Sequence, residues 1–194
     1  MLRPRLPSVI GLHGPERVGK DAVTRALMSL CPRAEHIKFA HELYAEVHAR
    51  FPELADIEDA RKDEPLAILG GRSKRDVLIE IAQGRRAIDP DYWVKRFVER
   101  AVHAMRFGRL VVCSDVRQQN ERDAIDQLGG VVIGLRRPGV SFRGGPTSTD
   151  HYAEWCCHVI DNDGTEDDLT HKVSAVLREI GFDLEELQRG RFAA

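Results

Sequence analysis

The stretch that most restricts how this chain can fold is Ser8 to Val23, SVIGLHGPERVGKDAV. An apolar run opens into Gly14, four further residues, Gly19 and Lys20. SVIGLH is short, rich in large aliphatics and apolar on both faces, the pattern of a parallel strand buried inside a sheet. From Lys20 onward Val23, Ala26, Leu27 and Leu30 recur at helical spacing, and Pro32 ends the run. A glycine-rich turn between such a strand and such a helix offers main-chain N–H groups to an anion, and the helix N-terminus adds partial positive charge. Gly14 to Lys20 therefore reads as a phosphate-binding loop, with Lys20 reaching the terminal phosphates. A plain glycine turn is the alternative, and the strand–turn–helix context argues against it.

Asp21 breaks the usual pattern, which places Ser or Thr after the lysine as a magnesium ligand. A carboxylate next to polyphosphate is repelled unless a divalent cation lies between them, and Mg2+ accepts carboxylate oxygens. Asp21 thus implies a metal. Its plainer role is to favour the first helical turn through the helix dipole, and the two are compatible. Asp115 ends the apolar strand LVVCSDV (Leu110 to Val116) and matches the second magnesium-associated acid of phosphate-loop enzymes. Taken alone it reads equally as a cap or turn residue.

Strands and helices alternate along the rest of the chain. HIKFA (His36 to Ala40), VVIGL (Val131 to Leu135) and HVIDN (His158 to Asn162) are predicted strands. Helices are predicted over Glu42 to Phe51, Ser73 to Gln83 and Asn120 to Leu128. Another starts at Asp89-Pro90, read as N-cap and first-turn proline, and runs to Gly108. Its inward stripe is Val94, Phe97, Val98, Ala101 and Met105. Thr165 with Asp168 resembles a capping box for the last helix. The stretch 52–71 is charged and irregular, and RRPGVSFRGGPTSTD is a loop or lid.

The alternation predicts an α/β fold of three layers, with about five parallel strands covered by helices on both faces. The length of 194 residues suits one domain, with a helical region at about 41–107 and a lid at about 137–155. Ligands of such sheets sit at the carboxyl ends of the strands, so the glycine loop, Asp115 and the lid should converge.

A net charge of −2 gives no general affinity for nucleic acid or acidic membranes, so cations for an anionic ligand must be placed locally. The four cysteines form no Cys-x-x-Cys pair, no signal-peptide core precedes the loop, and no run approaches a membrane span. A reduced, soluble, cytoplasmic protein is the expectation. His151, Cys156, Cys157 and His158 fit none of the usual zinc spacings.

The segments GPERVGKD, KFAHELY, RDVLIEIAQGRRAIDPDYWV, VVCSDVRQQNE, QLGGVVIGLRRPG, HYAEWC and IDNDGT occur in that order. In them the chain resembles, over nearly its whole length, the bacteriophage-type deoxynucleoside monophosphate kinases, which have the P-loop kinase fold. The resemblance implies ATP, Mg2+ and a deoxynucleoside monophosphate acceptor, a homodimer, and the host cytoplasm if the chain is phage-encoded. It also makes Asp21 ordinary, because the family carries Asp after the lysine.

In this scheme Gly14, Arg17, Val18, Gly19, Lys20, Asp21 and Ala22 hold ATP, and Asp21 and Asp115 serve the metal. Asn162, Gly164 and Thr165 line the adenine or merely form a capping turn. Transfer to a phosphate needs arginines rather than a base, because the acceptor's second pKa of about 6 leaves it anionic at neutral pH. The resemblance favours Arg75, Arg86 and Arg117 for the acceptor and Arg137 for the lid, with Lys20, Asp115, Arg117 and Arg137 at the reaction centre. Phe39 and Trp93 pack either on the acceptor or in the core.

Three departures concern specificity. Ala22 replaces a common threonine, whose hydroxyl would contact the α-phosphate. His151-Tyr152-Ala153-Glu154 replaces His-x-Ser-Glu, and Ala82-Gln83-Gly84-Arg85 differs from the family's substrate helix. Two other functions stay open: a kinase of a hydroxyl-bearing small molecule, which would need a base near the acceptor, and a non-catalytic nucleotide-binding switch.

Overall fold

The apolar run before the glycine loop forms β1 (Val9–His13), and all five of its residues are buried. In the computed structural model, which describes residues 6–144 and 150–190, β1 is the central strand of a five-stranded sheet. It is flanked by β3 (Val111–Cys113) and β4 (Val131–Arg136), with β2 (Glu35–His36) and β5 (Cys156–Asp161) at the edges. Every pairing is parallel. A central strand covered on both faces cannot alternate polar with apolar, which is why VIGLH is apolar throughout.

Alternate residues of β1 serve opposite faces. Ile10 and Leu12 join Val112, Ile133 and Leu135 in a core with α1 (Lys20–Leu30), α7 (Glu166–Ile180) and α8 (Leu184–Gln188). On the other face Gly11 lies against Ile125 of α5 (Gln119–Gln127), too close for any side chain. The architecture is the α/β parallel sheet that the alternation predicts.

The chain divides into two compact units, Met1–Lys38 with Val98–Ala194, and Phe39–Phe97. The first holds the sheet. The second holds α2 (His41–Arg50), α3 (Lys74–Ile88) and the start of α4 (Tyr92–Arg106), with a core of Val47, Leu54, Val77 and Leu78. Its charged stretch 52–71 contains three short 3-10 turns, Pro52–Leu54, Asp59–Arg61 and Ala67–Leu69. Ser73 caps α3 reciprocally with Asp76. Among the described residues no helix is long and apolar enough to cross a membrane.

Several boundaries differ from those predicted. β2 stops at His36, so Phe39 and Ala40 belong to a turn rather than a strand. Asp89 is the C-cap of α3, because that helix continues to Ile88. Its carboxylate accepts the Asp91 N–H at 3.1 Å, which places Pro90 in a turn and starts α4 at Tyr92. The most buried positions of α4 are Trp93, Phe97, Ala101 and Ala104, while Val94, Val98 and Met105 stay partly exposed. Burial of the large indole at 93 sets that stripe. The strand expected from His158 begins at Cys156, after the one-turn α6 (Tyr152–Trp155), and α8 was not anticipated.

Leu12 is fully buried beneath α1 and α7. Leu12→Ala is expected to lower stability by about 3 kcal/mol, read as a shift of the urea unfolding midpoint at unchanged slope.

Candidate active site

The loop from Gly14 to Lys20 leaves the carboxyl end of β1 and opens α1, as the spacing of its glycines predicts. Gly19 takes φ 107, and a Cβ there would collide with the Asn162 side-chain amide. A Cβ on Gly14 would stand 2.8 Å from the Leu135 carbonyl oxygen. Both positions therefore admit only glycine. Arg17, at φ 64, is the non-glycine residue in left-handed conformation at the loop's exposed tip. Val18 is buried, and its carbonyl accepts the Asn162 Nδ2–H at 2.8 Å. The Asn162 side chain thus braces the loop. Its own N–H reaches the Arg136 carbonyl at 2.7 Å. Gly164 is exposed, and Thr165 with Asp168 forms the predicted capping box of α7.

Lys20 folds over this loop. Its Nζ donates to the carbonyls of Gly14 at 2.8 Å and Pro15 at 2.6 Å. Burial, reinforced by the Arg117 guanidinium, pulls its pKa down to about 8 against the opposing charges of Asp21, Glu16 and Asp115. Arg117, Asp21 and Asp115 consequently each lie within electrostatic reach of Lys20. Arg117 is set in place by Glu121, whose carboxylate is only 3% exposed and accepts the N–H groups of Arg117 at 2.7 Å and Gln118 at 3.0 Å. The Cys113 thiol donates to Asp115 Oδ1 at 3.3 Å. Burial, then the Asp115 charge, pushes that thiol's pKa well up, so it keeps its proton and remains a donor.

Two clusters at the carboxyl ends of the strands carried no sequence signal. His13, the last residue of β1, is 2% exposed. Its Nδ1–H donates to the Val116 carbonyl at 3.1 Å, and its Nε2 accepts the His151 N–H at 3.4 Å. The rings of Phe142, Tyr152 and Trp155 surround it at centroid distances of 5.3, 5.6 and 4.9 Å. Burial foremost lowers its pKa, which keeps the imidazole neutral and fits one donated and one accepted bond. The second cluster lies at the ends of β2 and β3, where His36 Nε2 is 2.8 Å from Ser114 Oγ.

On the expected lid, Arg136 lies over the Tyr152 ring at 4.9 Å, and the Tyr152 hydroxyl donates to the Leu135 carbonyl. Arg137 is exposed where a turn closes through the Val140 N–H. Arg143 approaches the Glu16 carboxylate of the loop at 3.8 Å. Residues 145–149 of the predicted lid lie outside the described residues.

The remaining candidates belong to the second unit. Phe39 is buried with its ring 4.1 Å from that of Phe97. Trp93 is 3% exposed, and its indole N–H is taken by the Ala82 carbonyl at 3.3 Å. Both have the environment of core residues. Arg75 is ion-paired with Asp63, and Arg86 is half-buried on α3.

Among the described residues no group of three or more His, Cys, Asp or Glu is placed to hold a metal unaided. Asp21 and Asp115 are hard oxygen donors that suit Mg2+, which commonly binds one or two carboxylates together with substrate phosphates.

A crystal structure of a gluconokinase from Sinorhizobium meliloti 1021 aligns with 91% of this chain and 94% of its own, at TM-score 0.50 and 16% identity. The fold is that of the P-loop kinases. A shikimate kinase from Acinetobacter baumannii, solved in complex with shikimate, aligns at TM-score 0.48 and 17% identity over 92% of this chain and 96% of its own. No protein-family model and no curated protein matches the chain.

In this P-loop fold an anion on the loop would replace the water that Lys20 has lost and raise its pKa from about 8. ATP binding at pH 8.5 is therefore expected to take up a proton, with little uptake at pH 6.5, where the ammonium is already charged. Affinity should fall as pH rises through 8 toward the ordinary lysine range. Calorimetry in buffers of different ionisation enthalpy measures the uptake, and its absence at pH 8.5 would remove Lys20 as the anion's partner.

Proposed function

We propose that this chain transfers the γ-phosphoryl group of ATP, with Mg2+, to a deoxynucleoside 5′-monophosphate, giving the diphosphate and ADP. The observation that supports this best is the single electrostatic cluster of Lys20, Arg117, Asp21 and Asp115 at the mouth of a phosphate loop. The P-loop kinase fold supports the broader reading, a small-molecule kinase. The deoxynucleotide acceptor rests on the sequence resemblance.

Gly14 to Ala22 would wrap the polyphosphate with main-chain N–H groups, and Lys20 would leave its own carbonyls to bind the β- and γ-phosphates. Asp21 and Asp115 would hold Mg2+, which neutralises charge on the phosphates. Arg117 would lower the repulsion between the two phosphates as they approach, assisted on the acceptor side by Arg75 and Arg86 and from the lid by Arg137. An acceptor oxygen forms the new P–O bond while the β,γ-bridging P–O bond breaks and ADP takes its electron pair. The acceptor phosphate is already anionic, so no residue has to remove a proton.

A second reading, a kinase of a hydroxyl acceptor, gains from His36, an imidazole at the end of β2 where a base could act. Incubation of the protein with ATP, Mg2+ and the four deoxynucleoside monophosphates, alongside ribonucleotides, gluconate and shikimate, separates the two. Diphosphate formation from a deoxynucleotide is the expected result. Lys20→Ala should lose at least ~100-fold in turnover while remaining folded. Conversion only of a hydroxyl acceptor would favour the second reading, and ATP binding with no conversion would favour a nucleotide-binding switch.

A further inference from the structure

We propose that His13 is a positioning residue for Arg117, an assignment that rests on the kinase reading above, in which Arg117 lowers the repulsion between the two phosphates. The peptide group between Val116 and Arg117 is held at both of its polar ends. Its carbonyl accepts the His13 Nδ1–H at 3.1 Å, and its N–H donates to the Glu121 carboxylate at 2.7 Å. His13 is 2% exposed and Glu121 3%, so water does not compete for either bond. The ladder between β1 and β3 ends at Gly11 with Cys113, and Val116 and Arg117 lie beyond it. His13 reaches them because alternate residues of β1 serve opposite faces. Gly11 and His13 share the face that carries α5, and Val116 packs there, its side chain 2.9 Å from where a Cβ on Gly11 would stand.

The chemistry of the two partners fixes the state of the ring. A main-chain carbonyl only accepts and a main-chain N–H only donates. Nδ1 therefore carries the proton toward Val116, and Nε2 is bare toward the His151 N–H at 3.4 Å. Only a neutral imidazole makes both bonds, and burial foremost favours that form. The surrounding rings hold it in this orientation. Phe142 stacks on it, and Trp155, which packs at 4.9 Å, is itself anchored by its indole N–H to Gln119 of α5 at 3.1 Å. His151 stacks on Trp155 with centroids 3.9 Å apart. His13 is also the residue before Gly14, so the strand that opens into the phosphate loop is the strand that holds the Arg117 peptide. One imidazole thereby relates the loop to the segment whose guanidinium acts on the Lys20 charge. Buried as it is, His13 meets no substrate and takes no part in bond making or breaking.

Steady-state kinetics on the full chain tests this, with ATP and the acceptor that wild type converts best. His13→Leu should lower kcat ~10-fold while the ATP KM stays within about twofold. His13→Asn keeps a donor near the Nδ1 position and should return kcat to within about threefold of wild type, whereas His13→Gln, with its amide near Nε2, should stay low. In an Arg117→Ala background His13→Leu should cost less than about twofold more, because its effect runs through that arginine. Thermal melts with and without ATP show whether each variant is folded with its loop intact, and if His13→Leu does not fold, the contrast between Asn and Gln decides. In 15N-histidine-labelled wild type at pH 7 the His13 ring, assigned through its correlations to the His13 backbone, should carry one proton, on Nδ1. An unmoved kcat, an ATP KM that rises in step with the fall in kcat, equal behaviour of Asn and Gln, full multiplication of the two losses, or a proton on Nε2 would overturn the proposal and leave the kinase reading standing. Wild type that converts no acceptor would overturn the kinase reading, and the role of Arg117 with it.

Discussion

The site depends on a lysine charge kept partly out of water. Lys20 sits at the start of α1, deep enough that its ammonium is held by two carbonyls of its own loop rather than by solvent. Those carbonyls are adequate partners but poor substitutes for an anion, and the depressed pKa reflects the difference. A phosphate that displaces them gains a charge-assisted partner and relieves a desolvated cation in one step. The charges of Asp21, Glu16 and Asp115 favour the protonated lysine, and that of Arg117 opposes them.

That lysine is useful only if the loop keeps its shape, and the loop is held from outside itself. Asn162, from the end of β5, bonds Val18 and fills the space that a side chain at Gly19 would need. Leu135, at the end of β4, closes on Gly14. Glu121 fixes the segment that carries Arg117. The ends of β1, β3, β4 and β5 thus combine to aim one set of groups. This is possible because a parallel sheet brings all its carboxyl ends to the same edge. The edge is divided in character, with aromatic rings around His13 on the β4 side and the polar Ser114 and His36 on the β3 side.

Much of this fold was legible before any coordinates. β1, the loop, α1 and the capping box of α7 were plain because each is specified by residues within one turn or one strand of each other. The limits of β2 and α4 were not. HIKFA has the composition of a longer strand, yet only Glu35 and His36 pair with β3, because pairing is settled by the partner's length as well as by propensity. Asp89-Pro90 has the form of a helix start, yet α3 runs up to it and claims the aspartate as its end. For the site, Lys20, Asp21, Asp115 and Arg117 were named in advance, whereas His13, His36, Ser114 and Glu121 were not. Their partners lie far away in sequence or are main-chain atoms, so no spacing rule marks them.

The sequence by itself determined that a phosphate loop would sit between a buried strand and a helix, with a carboxylate after its lysine. Those features are local consequences of glycine placement, apolar periodicity and helix polarity. Only the tertiary structure decided what accompanies that loop: an asparagine side chain bonded to it, aromatic rings packed around the histidine that precedes it, and a histidine–serine pair at the ends of β2 and β3. Strand order and register bring such residues together, and these follow from how the whole chain packs rather than from any one segment.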